Sequence, residues 1–270
     1  CQPSTASVSE PMITIKSESE FEKMVVAGRV VAEVHAEIRN AARVGVTLKV
    51  LDEIAEKIIR DRGCEPSFLH YQGTYPASIC ASPNDVIVHG IPTDYALRDG
   101  DIIAIDVGAI YEGLHGDAAF TMGIGDVPPQ AQRLIDVTEE GMWAGISKVK
   151  HGARVGDIGA AVEAVGRRED YGVVREYVGH GIGRAMHEEP QIPNYGTPGK
   201  GMKLRKGMAV CIEPMFNLGT ASSTVDDDNW TVRTADGQLS AHWEHTVAIT
   251  RKGVIVTTLP EGVEPSVPIG

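Results

Sequence analysis

One phrase is written twice in this chain. The run Leu97-Arg98-Asp99-Gly100-Asp101-Ile102-Ile103-Ala104-Ile105-Asp106 returns 107 residues later as Leu204-Arg205-Lys206-Gly207-Met208-Ala209-Val210-Cys211-Ile212-Glu213. Each copy leaves a polar turn, runs through an apolar strand and ends on a carboxylate. Burying a lone charge costs several kcal/mol unless a counter-charge or a metal offsets it, so two such carboxylates on equivalent strands point to a shared cation. A second match, Ala42-Arg43-Val44-Gly45 with Ala153-Arg154-Val155-Gly156, is displaced by 111 residues and precedes a helix-like stretch both times. Displacements this close indicate duplication of about half the chain rather than a short-period solenoid. Two similar halves related by a pseudo-twofold axis are expected, with a site where they meet.

Length and composition fit that picture. The 270 residues can bury a sizeable core, and 42% hydrophobic with 23% charged residues is ordinary for a globular protein. With 25 Lys and Arg against 37 Asp and Glu the net charge is -12, which argues against a broad nucleic-acid or anionic-membrane surface. The small basic cluster Lys200, Lys203, Arg205 and Lys206 reads as a solvated loop. Cys1, Cys64, Cys80 and Cys211 form no CxxC pair, and no apolar run approaches the roughly 20 residues of a membrane span, so a reducing, cytoplasmic setting is expected. The start at Cys1 suggests a removed segment, with a lipid-modifiable cysteine left by a signal sequence as the lesser reading. Residues 1–11 and 263–270 read as tails, leaving 12–262 as one domain with halves of about 12–125 and 126–262.

Ser17 and Glu20 predict a capping box that opens a long amphipathic helix carrying Phe21, Met24, Val31, His35 and Ile38 on one side. Thr47 is the expected cap of a second helix that stops at Gly63. Residues 101–124 read as a hairpin turning at Glu112-Gly113, and helical period returns after Pro128-Pro129, with a shorter helix following Asp157. Strands and glycine-rich loops fill 75–91, 173–195, 207–216 and 239–257. Helices and strands alternating within each half predict an α+β chain with a mixed or antiparallel sheet and helices on one face.

With Glu112-Gly113 as the loop, Asp106 faces position 119 and Asp117 becomes its diagonal neighbour on the same face. The second half offers Glu213 and Glu244, separated by an excursion whose Asp226-Asp227-Asp228 lacks the spaced ligands of a calcium loop and reads as solvated. Four carboxylates brought together repel one another and acquire raised pKa values unless cations neutralise them, and four suit two divalent ions better than one. Of the nine histidines, His35 reads as a helix-face residue, and His70, His115 and His151 as residues in turns or near charges. His180 stands apart because the glycines of Gly179-His180-Gly181-Ile182-Gly183 let backbone approach a ligand closely. His89 and His187 are further candidates, as hydrogen-bond donors to a reacting carbonyl. HExxH, GxSxG and phosphate-loop motifs do not occur, and the glycines around His180 do not follow the dinucleotide spacing.

Asp106 with Asp117, Gly179-His180-Gly181-Ile182-Gly183-Arg184 followed by His187-Glu188-Glu189-Pro190, Ile212-Glu213-Pro214-Met215 and Glu244-His245-Thr246 together resemble the type I methionine aminopeptidases, over about residues 13–260. The resemblance implies the pita-bread fold, a curved, mostly antiparallel sheet with helices on its outer face and an internal pseudo-twofold duplication. Type II enzymes carry a long insertion between the positions matching His180 and Glu213, for which this chain has no room, and an N-terminal zinc-binding extension is not expected. Carried over residue by residue, the resemblance implies that Asp117 and Glu244 bridge two divalent ions, that Asp106 completes one, and that His180 with Glu213 completes the other. It gives His89 and His187 contacts to the scissile peptide and the tetrahedral intermediate. It places Tyr75, Cys80, Met186 and Trp230 around the methionine side chain, and Asn84, Val86 and Ser240 around a monovalent cation, Na or K. Two departures stand out: Met186 replaces the phenylalanine of several relatives, and the stretch 71–75 is one residue longer and lacks a histidine often found there.

The implied activity is removal of the N-terminal methionine from nascent proteins and peptides with a small second residue. A water or hydroxide between two divalent ions about 3.5–4 Å apart is acidic enough to attack a peptide carbonyl, and Glu213 is the expected proton shuttle as well as a ligand. A mostly oxygen ligand set with one His and no Cys is compatible with Co, Mn, Fe(II), Ni or Zn. The expected partners are nascent polypeptide N-termini and, transiently, the ribosome, with no specific nucleic acid, no membrane and a monomeric chain. The alternatives are an X-Pro aminopeptidase or prolidase of the same fold, and a non-catalytic peptide-binding module.

Overall fold

The computed structural model describes residues 13–269, so the tail expected at 1–11, with Cys1, lies outside the described residues. Helix α1 (Glu18–Ala41) opens on the expected box, in which Ser17 Oγ accepts from the Glu20 amide and Glu20 Oε2 accepts from the Ser17 amide at 2.8 Å. Helix α2 (Leu48–Asp61) begins after Thr47, but the threonine side chain makes no capping bond. The incoming segment at 93–97 satisfies the helix start instead, since Leu48 N donates to Tyr95 O and Lys49 N to Thr93 O, both at 3.1 Å. Helix α3 (Pro129–Ile146) carries proline in its first turn. Helix α4 (Val155–Arg168) starts two residues before Asp157, not after it. Asp157 lies inside the first turn, where its Oδ2 accepts from the Arg154 amide at 2.8 Å.

The first half contributes β1 (Glu65–Pro66), β2 (Ile79–Pro83), β3 (Val86–Val88), β4 (Ile102–Tyr111) and β5 (Leu114–Gly123). The second half contributes β6 (Gly172–Val173), β7 (Gly179–Gly181), β8 (Glu188–Ile192), β9 (Ala209–Ile212) and β10 (Met215–Asn217), then β11 (Ser223–Val225), β12 (Val232–Thr234), β13 (Ser240–His242), β14 (Glu244–Ile249) and β15 (Val254–Val256). A nine-stranded sheet runs β1-β4-β5-β14-β9-β7-β8, with β2 also on β4 and β15 also on β14, and its pairings are antiparallel. The β4–β5 hairpin turns at Glu112-Gly113, both in the left-handed region with φ of 46° and 77°, as a two-residue turn that matches strand twist requires. Asp106 faces Ala119 and Asp117 faces Gly108, the register expected from the loop.

The order β4-β5-β14-β9 displays the duplication. Each repeated phrase ends in an outer strand of this quartet, and the partner strands β5 and β14 meet in the middle. That seam has two registered pairs, Glu244 with Ala119 and His245 with Ala118. Two threonines stitch it further. Thr246 Oγ1 donates to Asp117 O at 2.8 Å and accepts from Asp117 N at 3.1 Å, while Thr121 Oγ1 donates to His242 O at 2.7 Å and accepts from His242 N at 2.9 Å. A single shift of 125 residues carries Asp117 onto His242 and Thr121 onto Thr246, so the two stitches are pseudo-twofold mates.

Apolar positions that alternate along β4 and β5, among them Ile103, Ile105, Val107 and Phe120, pack under Val31, Val34 and Ile38 of α1. In the second half Met142, Ile146 and Ile158 of α3 and α4 cover Val210, Ile212 and Val247. Helices thus occupy one face of the sheet and leave the other for polar side chains. The close approach of α1 to the sheet demands glycine: a Cβ on Gly28 would lie 2.1 Å from Thr257 O. Two departures concern loops. Within 263–269, expected as tail, Val267 and Ile269 pack against the second cluster. The Asp226–Asp228 excursion is an exposed turn, as expected of a solvated loop, but the short strands on either side of it form the unexpected β11–β12 hairpin, which pairs with β3 of the first half.

Candidate metal centre and cleft

Alternation along five neighbouring strands brings the expected ligands to the polar face. Across the sheet come Asp106 on β4, Asp117 on β5, Glu244 at the start of β14, Glu213 one residue beyond β9 and His180 in the middle of β7. Asp117, Glu244 and His180 are 2%, 1% and 7% exposed. His180 Nε2 lies 3.5 Å from Glu213 Oε1 and 3.9 Å from Asp117 Oδ2. Its Nδ1 lies 2.8 Å from Gly181 O, so Nδ1–H donates there and the Nε2 lone pair faces the carboxylates, the tautomer that a ligating imidazole needs.

Among the described residues, the donor atoms of Asp117, His180, Cys211 and Glu244 lie within 4.8 Å of one another, as do those of Glu213, His242 and Glu244. Asp106, on the neighbouring strand β4, lines the same cleft beside these sets. The presence of Cys211 amends the expectation of a sulfur-free site. Burial, reinforced by Glu244 and Asp117, pushes this thiol well above its ordinary pKa, so it stands among the carboxylates as a neutral group, 3.6 Å from Thr246 Oγ1.

Four carboxyl groups in so small a volume cannot all ionise unaided. Burial pushes Asp106 up to about 6, against a smaller opposing pull from His242. Burial also lifts Asp117, Glu213 and Glu244 well above the carboxylate range, and the neighbouring carboxylates add to the rise. Asp106 Oδ1, Asp117 Oδ1, Glu244 Oε1 and His242 Nε2 are buried without a hydrogen-bond partner. Unpaired buried acceptors are costly, and oxygen and imidazole donors converging on one point suit divalent cations. The residues therefore fit the metal that the sequence implies.

A cleft of about 390 Å³ opens over this set. Its apolar end is built from Phe68, Tyr75, Ala77, Cys80 and Met186, with Tyr71, Ile91 and Trp230 packed against them, so all four expected pocket residues come together. Tyr75 donates through Oη to Ile79 O and Gly90 O at 3.1 and 3.0 Å, and its ring meets Trp230 edge-on at 5.2 Å. Trp230 reaches the pocket because the Asp228 carboxylate accepts from the Trp230 and Thr231 amides, both at 2.8 Å, and so shapes the β11–β12 turn. His89 follows β3 in the left-handed region, φ 59°, and burial lowers its pKa to about 4. The His187 ring lies 4.3 Å from that of His180, and its Nδ1 is 2.5 Å from Tyr71 Oη. Asn84 and Ser240 are neighbours, with Ser240 N donating to Asn84 O at 2.9 Å, and Val86 opens β3 beside them.

Sequence reasoning missed His242, Tyr71 and Gln72, which also line the cleft. The signal for His242 was present, since the 125-residue shift that relates the second strands of the two hairpins maps Asp117 onto it. Tyr71 and Gln72 lie in the one-residue-longer stretch, where His70 and Gln72 both adopt left-handed backbone and no helical or strand period guides the eye. His115, read as a residue in a turn or near a charge, is buried on β5, with Nδ1 3.0 Å from Ser67 Oγ.

A curved sheet of two fused halves whose polar face carries a carboxylate-rich cage beside an apolar pocket defines a metallohydrolase of pita-bread architecture. The sequence pattern of metallopeptidase family M24 matches residues 22–251. Methionine aminopeptidase 1 of Bacillus subtilis is 46% identical over 247 residues, covering 92% of this chain and 99% of that protein. Methionine aminopeptidase 1 of Mycobacterium tuberculosis is 48% identical over 251 residues, covering 90% and 94%. The crystal structure of methionine aminopeptidase from Rickettsia prowazekii superposes with a TM-score of 0.89 at 42% identity, covering 92% of this chain and 100% of that one. A prolidase from Pyrococcus furiosus, at 21% identity and a TM-score of 0.74, shares the fold. The chain belongs to metallopeptidase family M24 and, within it, to the type I methionine aminopeptidases. Among the described residues no helix is long and apolar enough to cross a membrane.

Proposed function

We propose that this chain removes the N-terminal methionine from polypeptides whose second residue is small. The observation that carries the reading is the joining of the carboxylate–imidazole cage to an apolar pocket in one cleft. Asp106, Asp117, His180, Glu213 and Glu244 would hold two divalent cations, whose chemistry when bound is to neutralise the carboxylates and to acidify water at neutral pH. Glu213 takes the proton of the attacking water and passes it to the departing amine. His89 and His187 are kept neutral by burial and present ring N–H groups to the scissile peptide, the second held in orientation by Tyr71. The flexible, polarizable methionine thioether suits a pocket of Tyr75, Cys80, Met186 and Trp230. Asn84, Val86 and Ser240 are proposed to hold Na or K.

The proposed setting is the cytoplasm, on chains emerging from the ribosome. Thirteen of the 25 Lys and Arg pair with carboxylates among the described residues, and nine of the other twelve share one surface. These are Lys148, Lys150 and Arg154, then the cluster Lys200, Lys203, Arg205 and Lys206, and finally Arg251 and Lys252. Arg154 reaches Gly201 O at 2.6 Å and Lys206 reaches Arg251 O at 3.1 Å, tying the segments together. Such a surface supports contact with a phosphate backbone on a chain that is acidic overall.

One assay tests the activity. Metal-reconstituted protein is offered Met-Ala-Ser, Met-Leu-Ser and an Ala-Pro peptide. Methionine released from the first alone supports the proposal. Cleavage before proline would assign the chain to its X-Pro relatives instead, and inactivity with every divalent metal would leave a peptide-binding module.

A further inference from the structure

We infer that His242 is a ligand of the metal centre, a second imidazole beside His180, on a cation shared with Glu213 and Glu244. The inference rests on the functional reading above and adds a residue outside the five-ligand set. His242 ends β13, is 2% exposed, and has no hydrogen-bond partner for Nε2. That nitrogen faces Glu213 Oε2 at 3.7 Å, too far for a hydrogen bond. Two donors each about 2.0–2.2 Å from one ion stand about 3–4 Å apart, so the spacing suits a shared cation. Glu213 is flanked on both sides, with His180 Nε2 at 3.5 Å from its other oxygen. The two sets of donor atoms within 4.8 Å of one another each contain one histidine, and they share Glu244.

The imidazole is also pre-aimed. Thr121 Oγ1 binds both the amide and the carbonyl of His242, which fixes the backbone from which the ring projects. This is the arrangement that Thr246 gives Asp117, and the 125-residue shift makes the two residues counterparts. The duplication thus places a ligand-type side chain at the same point of both halves, oxygen in one and nitrogen in the other. A second imidazole moves the donor set toward Zn, Co and Fe(II) and away from ions that prefer oxygen alone.

Proton NMR of the Co(II)-loaded full chain tests the assignment, because each coordinated imidazole gives its own solvent-exchangeable, paramagnetically shifted N–H signal. Two such signals are expected in the wild-type protein and one in His242→Gln. Calorimetry should show cobalt affinity lower by at least about 10-fold in the variant. A single signal in the wild type, or two in the variant, would overturn the inference. The wild-type count decides the matter if the variant folds poorly. Failure of the wild-type chain to take up cobalt at all would overturn the metal centre itself, and this assignment with it.

Discussion

Glu213 combines two demands, a ligand oxygen and a proton carrier, that glutamine meets only in part. Glu213→Gln is expected to keep its far-UV circular dichroism and to lose turnover by at least about 100-fold on Met-Ala-Ser, the range of a positioned acid–base group. Near-normal turnover would remove the proton role. His35 offers a prediction away from the site. Half-buried on α1, with its Nε2 shielded from solvent and its ring 4.7 Å from Phe120, it is held neutral because desolvation pushes its pKa well below the ordinary imidazole value. The unfolded chain takes up that proton near pH 6.5, so below this pH the unfolded state binds more protons. The stability contributed by keeping His35 neutral is therefore complete above about pH 6.5, and it falls by up to about 1.4 kcal/mol per unit as the pH drops. Urea melts between pH 7.5 and 5 should show a shallower loss for His35→Leu than for wild type, and equal slopes would refute the assignment. Single residues were legible where chemistry marked them, as with carboxylates ending apolar runs. Tyr71 was not, because an aromatic in an irregular turn carries no mark until His187 is placed against it.

Among the elements, the seam carries the most consequence. Thr246→Val preserves shape but leaves the buried amide and carbonyl of Asp117 without their partner, at about 1–3 kcal/mol for each unsatisfied group. A melting temperature several degrees below wild type is expected, with Thr246→Ser retaining most of it, and a valine variant as stable as wild type would contradict this role. The capping box and the hairpin register followed from local rules, since a short loop and a period of two leave few choices. The start of α2 did not, because the main-chain acceptors Tyr95 O and Thr93 O, 47 and 44 residues beyond their donors, replace the Thr47 side chain, and a local reading cannot see them. The β11–β12 hairpin was hidden for a similar reason. Its strands are three residues each and gain their stability by joining β3 of the other half.

For the whole molecule, cation binding and folding are linked, because a cage of raised-pKa carboxylates is formed only in the folded state. Saturating cation at about a hundredfold excess over Kd contributes about 2.7 kcal/mol, so the melting temperature should rise on the order of 5–10 °C above that of chelated protein. An unchanged melting temperature on adding Mn, Co or Zn would count against the centre. The basic surface makes a separate prediction. Reversing Lys200, Lys203 and Lys206 to Glu should weaken binding to a short RNA duplex and flatten its salt dependence by up to about one unit of slope for each phosphate left without its cation, with peptide hydrolysis unchanged. Equal RNA binding by the variant would dismiss the proposed phosphate-binding role. This surface could not be read along the chain because its cations come from three separate segments that only the fold assembles.

The narrowness of the seam has a mechanical corollary. Ten registered pairs hold the β4–β5 hairpin, whereas within the large sheet two, with a pair of threonine stitches, join β5 to β14, and two more join β12 to β3. Asp106 and Asp117 stand on one side of that joint, and Glu244, Glu213 and His180 on the other. The cage is therefore a caliper closed across the seam. Any splaying of the seam would widen the distance between its jaws, and an ion gripped between them would oppose it, so cation binding and closure of the seam are coupled, each favouring the other.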